Sequence, residues 1–568
     1  MSSNVEGLPL LAALGIVCGI FAGGLIVLFR LAVDHGTYLI LGEQSAQGFE
    51  LLSGPARLLL CIFGALLVGL LLHLLKPKDR LVGVVHVLER LDYHQGRLPI
   101  KNAVVQFAAA TICLLSGQSV GREGPSVHLG ATSGSQLGRL LRLPNNSTRI
   151  LIACGTAAAI AAAFGTPLAG VIFAMEVVLM EYSVIGFTPV ILASVSATTL
   201  TQITIGKDSI FTFPVAELQS LYELPLIALM GAAIGVLAAL FIRLTLLTSS
   251  VATKQSIWAR CALAGLITGL IAYQLPQIMG IGYHTINSLL TIEIGLGLAV
   301  LVLAAKLLAT SMAIGLGIPA GLIGPTLFIG AAAGSVMGIV ADALFEPGVN
   351  AGVYAMLGMA AMMAATLQAP LAALIYLLEL SSEQSIILPA MVAVITASLV
   401  TRVVFGKSSI YRHLMLARGL DHRNSPLSNA LRRVGVASVM DRTIQQQSRH
   451  ISLEQAVKLL KKEPRWILLA ANDMNKASLL PATDLARYLK QLEEDQINDE
   501  EQNIDLKSIP AKRIDTAKIT IIATLQDAHE RMQADHCTAL FITGAHGASK
   551  KRIYGVVTRE HIERSYQL

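Results

Sequence analysis

The chain has 568 residues, of which 54% are hydrophobic and only 14% are charged, and its formal net charge is +6. A soluble protein of this length needs far more charge to cover its surface, so the composition predicts an integral membrane protein with several spans. The small positive charge gives no reason to expect a nucleic-acid partner. The six cysteines are scattered without the spacing of a disulfide framework or a metal site.

Apolar runs long enough to enter or cross a bilayer follow one another from the N-terminus to Phe405, and several are interrupted by glycine and proline. Basic residues cluster at 76–80 and at 139–149, whereas the loop 34–55 has no Lys or Arg. The positive-inside rule therefore predicts that the N-terminus and these two basic loops are cytoplasmic. The runs are 8–33, 56–75, 102–118, 148–180, 184–205, 222–247, 258–279, 293–317, 320–344, 351–380 and 385–405.

The stretch Gly121-Arg122-Glu123-Gly124-Pro125 places charged residues inside this apolar region. An ionisable group at membrane depth is costly, which makes Glu123 the first candidate for a function in transport. The glycines and the proline predict a loop that ends in a helix N-terminus, where free N–H groups and partial positive charge attract anions. The alternative is that Glu123 forms only a salt bridge to Arg122.

The same spacing of glycines and proline recurs 200 residues later, in the stretch Gly321-Leu322-Ile323-Gly324-Pro325. A second repeat relates Pro167 and Glu176 to Pro370 and Glu379. Two halves with matching broken helices are typical of transporters, and the broken segments indicate the ion site. The alternative is close helix packing. We expect packing for the glycines at 130, 134, 330 and 334. For Glu176 and Glu379 we expect structural or vestibule roles, with a place on the ion path as the alternative.

The composition changes after Phe405, and from about residue 420 the chain is charged and has no run long enough to span a membrane. Helix starts at Ser452 and Thr524, 72 residues apart, are each followed by a short apolar strand, which predicts a duplicated β/α unit. The acidic segment from Glu493 to Asp505 predicts a linker. The expected division is 1–418 membrane domain, 419–434 linker, 435–492 first unit, 493–507 acidic linker and 508–568 second unit.

These motifs resemble the CLC family of chloride channels and proton/chloride exchangers over residues 8 to about 420, and the tail resembles a pair of CBS domains. The family's G(K/R)EGP motif is present letter for letter, and its GxFxP motif appears with Ile323 in place of Phe. The resemblance implies an all-α membrane domain of inverted repeats with broken helices, a small α/β tail and a homodimer with one pore per subunit. It implies the anion-binding residues Gly121, Arg122, Glu123, Gly124, Pro125, Gly321, Leu322, Ile323 and Tyr411.

In this resemblance, backbone N–H groups of Glu123, Leu322 and Ile323 coordinate the anion, and the Tyr411 hydroxyl donates from the cytoplasmic side. The alternative for Tyr411 is an aromatic residue at the membrane interface. Glu123 is the expected gate, because its carboxylate imitates the anion. Lys306 is expected to pair with backbone carbonyls or a helix C-terminus, and His128 to be a hydrogen-bonded core residue.

The chain departs from the family pattern at two positions. Val82, followed by Gly83, stands where the family usually has the serine of the inner anion site, so a hydroxyl donor is missing there. Val177 stands where exchangers usually have an intracellular proton-accepting glutamate, and the adjacent Glu176 should point elsewhere because neighbouring helix positions differ by about 100°. Since Val177 cannot titrate, we expect a passive chloride channel gated by Glu123, with a proton-coupled chloride antiporter of the same fold as the alternative.

Other functions have less support. A nucleotide-sensing regulator with a membrane anchor does not explain the duplicated ion-site motif, and no catalytic residues, metal ligands or enzyme motif are found. No cofactor is expected beyond the permeant chloride or another small monovalent anion. Adenine nucleotide binding by the tail has only partial motifs, Thr558 with His561 and Pro481 with Asp484. We expect the protein in a bacterial inner membrane, with the tail in the cytoplasm.

Overall fold

A computed structural model describes residues 8–182, 184–206, 211, 213, 221–252, 255–344, 350–420, 426–470, 476–494, 503–544 and 552–565. Contacts divide the chain into two compact units. One consists of Met1–Leu140 with Thr148–His422, and the other of Leu141–Ser147 with Arg423–Leu568. The first unit is helical and the second is built around a β-sheet, as the sequence predicts.

The helices of the first half of the membrane domain are α1 Leu8–Leu41, α2 Gly54–His73, α3 Gly83–Tyr93, α4 Ile100–Leu115, α5 Glu123–Leu140, α6 Asn145–Phe164, α7 Pro167–Phe173, which continues as a π-helical segment Ala174–Leu179, and α8 Val184–Thr204. Those of the second half are α9 Leu224–Ala252, α10 Ile257–Gln274, α11 Tyr283–Leu290, α12 Leu296–Leu316, α13 Ile323–Leu344, α14 Ala351–Leu367, α15 Pro370–Ser381, α16 Ile387–Leu399, which continues as a π-helical segment Val400–Val404, and α17 Ile410–Ala417.

Eight of the described helices are long and apolar enough to cross a membrane, and shorter apolar helices lie among them. The two longest predicted runs, 148–180 and 351–380, are each broken into two helices. In the first, Gly165 has a φ of +73° and α7 begins at a proline; in the second, Gln368 has a φ of +54° and α15 begins at a proline. Each break is a left-handed residue followed by a residue that favours the first helical turn.

Glycines let the central helices approach each other closely. A methyl group on Gly130 or Gly134 of α5 would collide with backbone carbonyls of α6, and one on Gly330 or Gly334 of α13 would collide with backbone carbonyls of α14. The same contact therefore occurs in both halves of the chain. This confirms the packing role predicted for these four glycines.

The second unit contains a six-stranded sheet in the order β1-β3-β4-β6-β7-β8 and a two-stranded sheet of β2 and β5. In each half, two parallel strands (β1 with β3, β6 with β7) are followed by an antiparallel one. Its elements are α18 Pro426–Arg433, α19 Val436–Val439, β1 Ile444–Gln447, β2 His450–Ser452, α20 Leu453–Leu460, β3 Trp466–Ala470, β4 Lys476–Pro481, α21 Ala482–Glu494, β5 Asn503–Asp505, β6 Ile514–Thr520, α22 Leu525–Ala534, β7 Ala539–Thr543, β8 Ile553–Thr558 and α23 Arg559–Ser565.

The predicted duplication is visible in the helix starts of this unit. Ser452 and Thr524 each cap a helix, and each forms a capping box with the residue three positions later, Gln455 and Asp527. The repeated strand and helix pattern is compatible with the expected pair of CBS domains.

The expected linkers are shorter than the sequence suggests. Within 419–434, α18 is helical and its Leu431 is buried in the core of the second unit. Within 493–507, residues Asn503–Asp505 form β5, which pairs with β2, because Ile504 lies between polar neighbours and buries its side chain in the core. The acidic segment 495–502 lies outside the described residues.

Candidate anion site

The two repeated motifs meet at the start of two helices. Gly121 and Gly321 exchange backbone hydrogen bonds in both directions, each with an N···O distance of 2.7 Å, and so form an antiparallel bridge. From this bridge α5 begins at Glu123 and α13 at Ile323. The first N–H groups of an α-helix have no partner within the helix and carry partial positive charge. The bridge thus places two potential anion-binding ends side by side.

The Glu123 carboxylate lies between the starts of α5 and α13. The residue is fully buried, and its carboxylate lies against the backbone N–H groups of Glu123 itself and of Gly324, although neither oxygen makes a hydrogen bond of good geometry. A methyl group on Gly321 would lie 2.5 Å from Oε2, and one on Gly324 would lie 2.8 Å from Oε1; one on Gly121 would collide with Oε2. The three glycines therefore form a cradle that only residues without a side chain can provide.

A third helix start belongs to the predicted inner site. α3 begins at Gly83, whose φ of +80° favours glycine. Val82 is its N-cap and makes no side-chain hydrogen bond to the helix, because valine has no acceptor. The Asn102 amide holds the preceding loop by donating to Leu81 O at 2.9 Å and Lys78 O at 3.0 Å. The anion-binding capacity of this end is therefore limited to backbone groups.

Tyr411 lies in the first turn of α17 and is 4% exposed. Its hydroxyl has no hydrogen-bond partner among the described residues, and it lies within electrostatic range of Glu123. A buried hydroxyl without a partner is free to donate to an anion. This placement does not match that of an aromatic residue at the membrane surface.

Arg122 does not form the salt bridge that was the alternative for Glu123. Its Nη2 donates to Ala163 O at 2.6 Å, and its guanidinium lies 5.3 Å from the ring centres of both Phe164 and Tyr283. Arg122 thus supports the loop next to Glu123 through these contacts. Two other residues of the motifs are also buried: Leu322 just before α13 and Pro125 in the first turn of α5.

Glu176 and Glu379 each cap a helix in the opposite half of the membrane domain. The Glu176 carboxylate accepts from Leu371 N at 3.3 Å and Ala372 N at 2.7 Å, at the start of α15. The Glu379 carboxylate accepts from Leu168 N at 2.8 Å and Ala169 N at 2.7 Å, at the start of α7. Both carboxylates are therefore structural. This is one of the two roles, structural or vestibule, that we expected from the sequence.

Val177, at the position of the proton-accepting glutamate, is buried in the π-helical segment beside Glu176. The valine cannot titrate, and the hydrogen bonds of Glu176 hold its carboxylate at the start of α15. This segment therefore has no acid free to accept a proton.

Two other buried polar residues have partners. Lys306 donates from Nζ to Ile278 O at 2.9 Å and to Gly280 O at 2.8 Å, as expected. His128 shares a 2.8 Å hydrogen bond with Nδ1 of His86, and Arg90 Nε donates to Nε2 of His86 at 3.0 Å. Sequence reasoning missed His86 because a single histidine in a short helix shows no pattern.

The candidate nucleotide residues of the second unit bond to neighbours. The Thr558 hydroxyl lies 3.0 Å from His561 Nδ1, and Asp484 pairs with Arg487 at 3.3 Å. Within the described part of the chain, no group of three or more His, Cys, Asp or Glu residues has the arrangement of a metal site.

Comparison with known proteins shows which proteins this chain resembles. A family model described as voltage gated chloride channel matches residues 64–402. A protein of Ralstonia nicotianae described as a chloride channel protein, ClcB-like, is 34% identical over 374 residues, which cover 64% of this chain and 86% of the relative. The H(+)/Cl(-) exchange transporter ClcA of Vibrio cholerae is 29% identical over 373 residues, 63% of this chain and 79% of the relative. The crystal structure of a slow cyanobacterial Cl-/H+ antiporter superposes with a TM-score of 0.64 and 25% identity, covering 73% of this chain and 99% of the other.

Proposed function

Because the chain belongs to the voltage-gated chloride channel (CLC) family of membrane anion transporters, we propose that it exchanges chloride for protons, with Glu123 as the group that both ions use. The observation that carries this proposal is the position of the Glu123 carboxylate between the starts of α5 and α13. The N–H groups that would hold a chloride ion face this carboxylate instead. Chloride and the ionised carboxylate therefore compete for one place.

This competition links the anion to a proton. The ionised carboxylate is held by the partial positive charge of two helix ends, whereas a protonated carboxyl has no net charge for them to attract. Protonation therefore favours departure of the side chain and entry of chloride, and departure of chloride favours return of the ionised carboxylate. The relation of ClcA and of the cyanobacterial antiporter to this chain supports the same reading.

A second candidate is the passive chloride channel expected from the sequence, and Val177 favours it. A proton that travels between Glu123 and the cytoplasm through the membrane needs titratable groups or water on its way. Val177 cannot titrate, and Glu176 is engaged at the start of α15. The two candidates differ in one measurable property, the coupling of the two fluxes.

The test uses the full-length protein in liposomes loaded with chloride. An outward chloride gradient is applied without a proton ionophore, and the external pH is recorded. Exchange predicts uphill proton movement into the liposomes, so that the external pH rises, and it predicts loss of this movement in Glu123→Ala. Chloride efflux without proton movement in the unmodified protein would overturn exchange and leave the channel.

The resemblance also implies a homodimer, a cytoplasmic tail and a bacterial inner membrane, and these stay predictions. A chain that ends near residue 418 is expected to insert into membranes, dimerise and transport chloride. Cross-linking of that shortened chain in membranes tests the dimer, because complete loss of dimers would assign dimerisation to the tail.

A further inference from the structure

A group of aromatic and basic side chains lies beside Glu123, and the exchange mechanism does not use it. The Arg122 guanidinium packs on the rings of Phe164 and Tyr283. The Phe164 ring in turn packs edge-on against Tyr376, with ring centres 5.5 Å apart. Arg122, Tyr283 and Tyr376, joined by Phe164, therefore form one continuous cluster next to the gate residue. We call these three polar residues the tyrosine-arginine cluster.

The cluster contains three buried polar atoms without a well-formed hydrogen bond, namely the hydroxyls of Tyr283 and Tyr376 and the Nε of Arg122. The Tyr283 hydroxyl lies within reach of the Arg122 guanidinium, which can only donate, so the hydroxyl proton of Tyr283 is still available to an acceptor. Tyr376 is only 3% exposed, so water does not reach it freely in this conformation. An unsatisfied buried polar group costs about 1–3 kcal/mol. Three such groups in one place indicate that the cluster is built to receive an acceptor.

Electrostatics indicates the charge of that acceptor. Tyr376 and Tyr283 both lie within electrostatic range of Glu123 and of Arg122. The cluster thus combines two hydroxyl donors with a guanidinium whose Nη2 is engaged by Ala163 O and whose Nε is free. Hydroxyl and guanidinium donors in one cluster suit a negatively charged group, because each donates and the guanidinium also attracts it.

Two of the three members of the cluster border a cavity. Arg122 and Tyr283 line a space of about 270 Å³, several times the roughly 30 Å³ that one water molecule occupies. Arg30, Asp34 and Glu50 also line it, so its basic and acidic side chains nearly balance. Because α5 runs from Glu123 toward the predicted cytoplasmic loop at 139–149, the cavity side of Glu123 is the predicted external side.

We propose that Tyr283, Tyr376 and Arg122 form a second anion site that holds one monovalent anionic group beside the helix ends. Two groups have this chemistry: a chloride ion on its way through the protein, and the Glu123 carboxylate after it has left the helix ends. In both cases the cluster lowers the free energy of the state in which chloride occupies the place between α5 and α13. The site deepens the proposed function, because it accounts for where the displaced or waiting charge resides.

The test removes single hydroxyl groups and measures the external chloride concentration that gives half-maximal flux into liposomes. Tyr376→Phe and Tyr283→Phe each keep the ring and its packing. Loss of one hydrogen bond to a charged group corresponds to about 1.5 kcal/mol, so the half-maximal concentration should rise roughly tenfold in each variant. Tyr354→Phe is the matched control, because this buried hydroxyl pairs with Glu223 elsewhere in the bundle, and its half-maximal concentration should not change.

The same substitutions in a Glu123→Ala background distinguish the two occupants. If chloride occupies the cluster, the increase persists without the carboxylate. If the Glu123 carboxylate occupies it, the increase disappears in that background. Half-maximal concentrations that are unchanged in both tyrosine variants of the otherwise unmodified protein would overturn the second site. Proton movement recorded in the same liposomes reports separately on exchange, since its absence in the unmodified protein would refute the coupling and leave the chloride comparison intact.

Discussion

The two halves of the membrane domain match at two repeated places, but only one of these places has an acidic residue in both halves. The Glu176 carboxylate lies at the start of α15 and the Glu379 carboxylate at the start of α7, and each accepts two backbone hydrogen bonds from the other half. At the starts of α5 and α13 the backbones also match, since Gly121 and Gly321 bond to each other. There, however, the first half has Glu123 and the second has Ile323.

The difference separates structure from transport. The carboxylates of Glu176 and Glu379, which occur in both halves, are each held by two backbone donors and so have no freedom to move. Glu123 has no equivalent in the other half, and its oxygens make no well-formed hydrogen bond although they lie at two helix ends. The backbone of both halves therefore makes the anion place, and one side chain from one half competes for it.

The largest effect, on chloride flux, is expected when a methyl group is added to Gly321, the glycine of the second half that lies against the Glu123 carboxylate. In Gly321→Ala, the new methyl group would lie 2.5 Å from Glu123 Oε2 and 2.6 Å from Gly124 N. The methyl group crowds the place that chloride must pass, and about 1–3 kcal/mol added to that barrier lowers chloride flux roughly five- to 150-fold. The measurement is flux into liposomes at saturating chloride. Gly297→Ala is the control, because its methyl group would meet nothing within 4 Å; equal flux in the two variants would mean that the cradle is not the path.

A smaller effect, on stability and not on transport, is expected at the paired glutamates. Glu176→Gln and Glu379→Gln each weaken two hydrogen bonds to a charged acceptor, so each should lower the free energy of unfolding by about 1–2 kcal/mol. Thermal unfolding in detergent should show a decrease of similar size for both, while flux per folded protein stays the same. A variant that loses flux without losing stability would place that carboxylate on the ion path.

A change of a few-fold is expected at the inner helix start. Val82→Ser adds a hydroxyl donor to an end that now offers only backbone groups, and chloride gains more from it than nitrate because poorly hydrated anions lose less on entry. A net hydrogen bond of about 0.5–1 kcal/mol corresponds to a two- to fivefold increase in the chloride/nitrate permeability ratio. Val104→Ser on the exposed face of α4 is the control. An unchanged ratio in Val82→Ser would assign selectivity to the cradle formed by the two halves.

The smallest effect is expected in the second unit, where an acid is paired with an arginine. Arg449 donates to both oxygens of Asp505 and, with the Lys507 N–H, lowers the Asp505 pKa from 3.8 to about 2. Because the folded pKa is below the unfolded one, this pair stabilises the unit above pH 4, and the stabilisation is lost as the pH falls toward 2.

Arg449→Gln should therefore lower the thermal unfolding midpoint slightly at pH 7, and the difference from the unmodified protein should shrink below pH 4. The measurement is the thermal unfolding curve of the variant and of the unmodified protein, each recorded at pH 7 and at a pH below 4. A difference that is the same at both pH values would exclude the Arg449–Asp505 pair as its cause.

The sequence predicts those parts of the fold that depend on local pattern. The repeated glycine spacing located the starts of α5 and α13 and the packing glycines at 130 and 330, because each requirement is met by one residue type at one position. The capping residues Ser452 and Thr524 located two helices of the second unit for the same reason.

The remaining features depend on contacts between distant segments. The partners of Glu176 lie 195 and 196 residues away, so the sequence limited its role to structural or vestibule but did not show the backbone groups it caps. Tyr283 and Tyr376 come near Arg122 only after three helices have packed, and neither lies in a recognisable motif. The β5 strand follows from Ile504, a single apolar residue within an acidic segment.

The central claim is that the Glu123 carboxylate and chloride compete for the place between α5 and α13. It is tested most directly by calorimetric titration of chloride into the purified, full-length protein and into Glu123→Ala at neutral pH. Removal of the competing charge should tighten chloride binding by about tenfold, corresponding to about 1.4 kcal/mol. Equal chloride affinity in the two proteins would contradict the competition and with it the role of Glu123 as the gate.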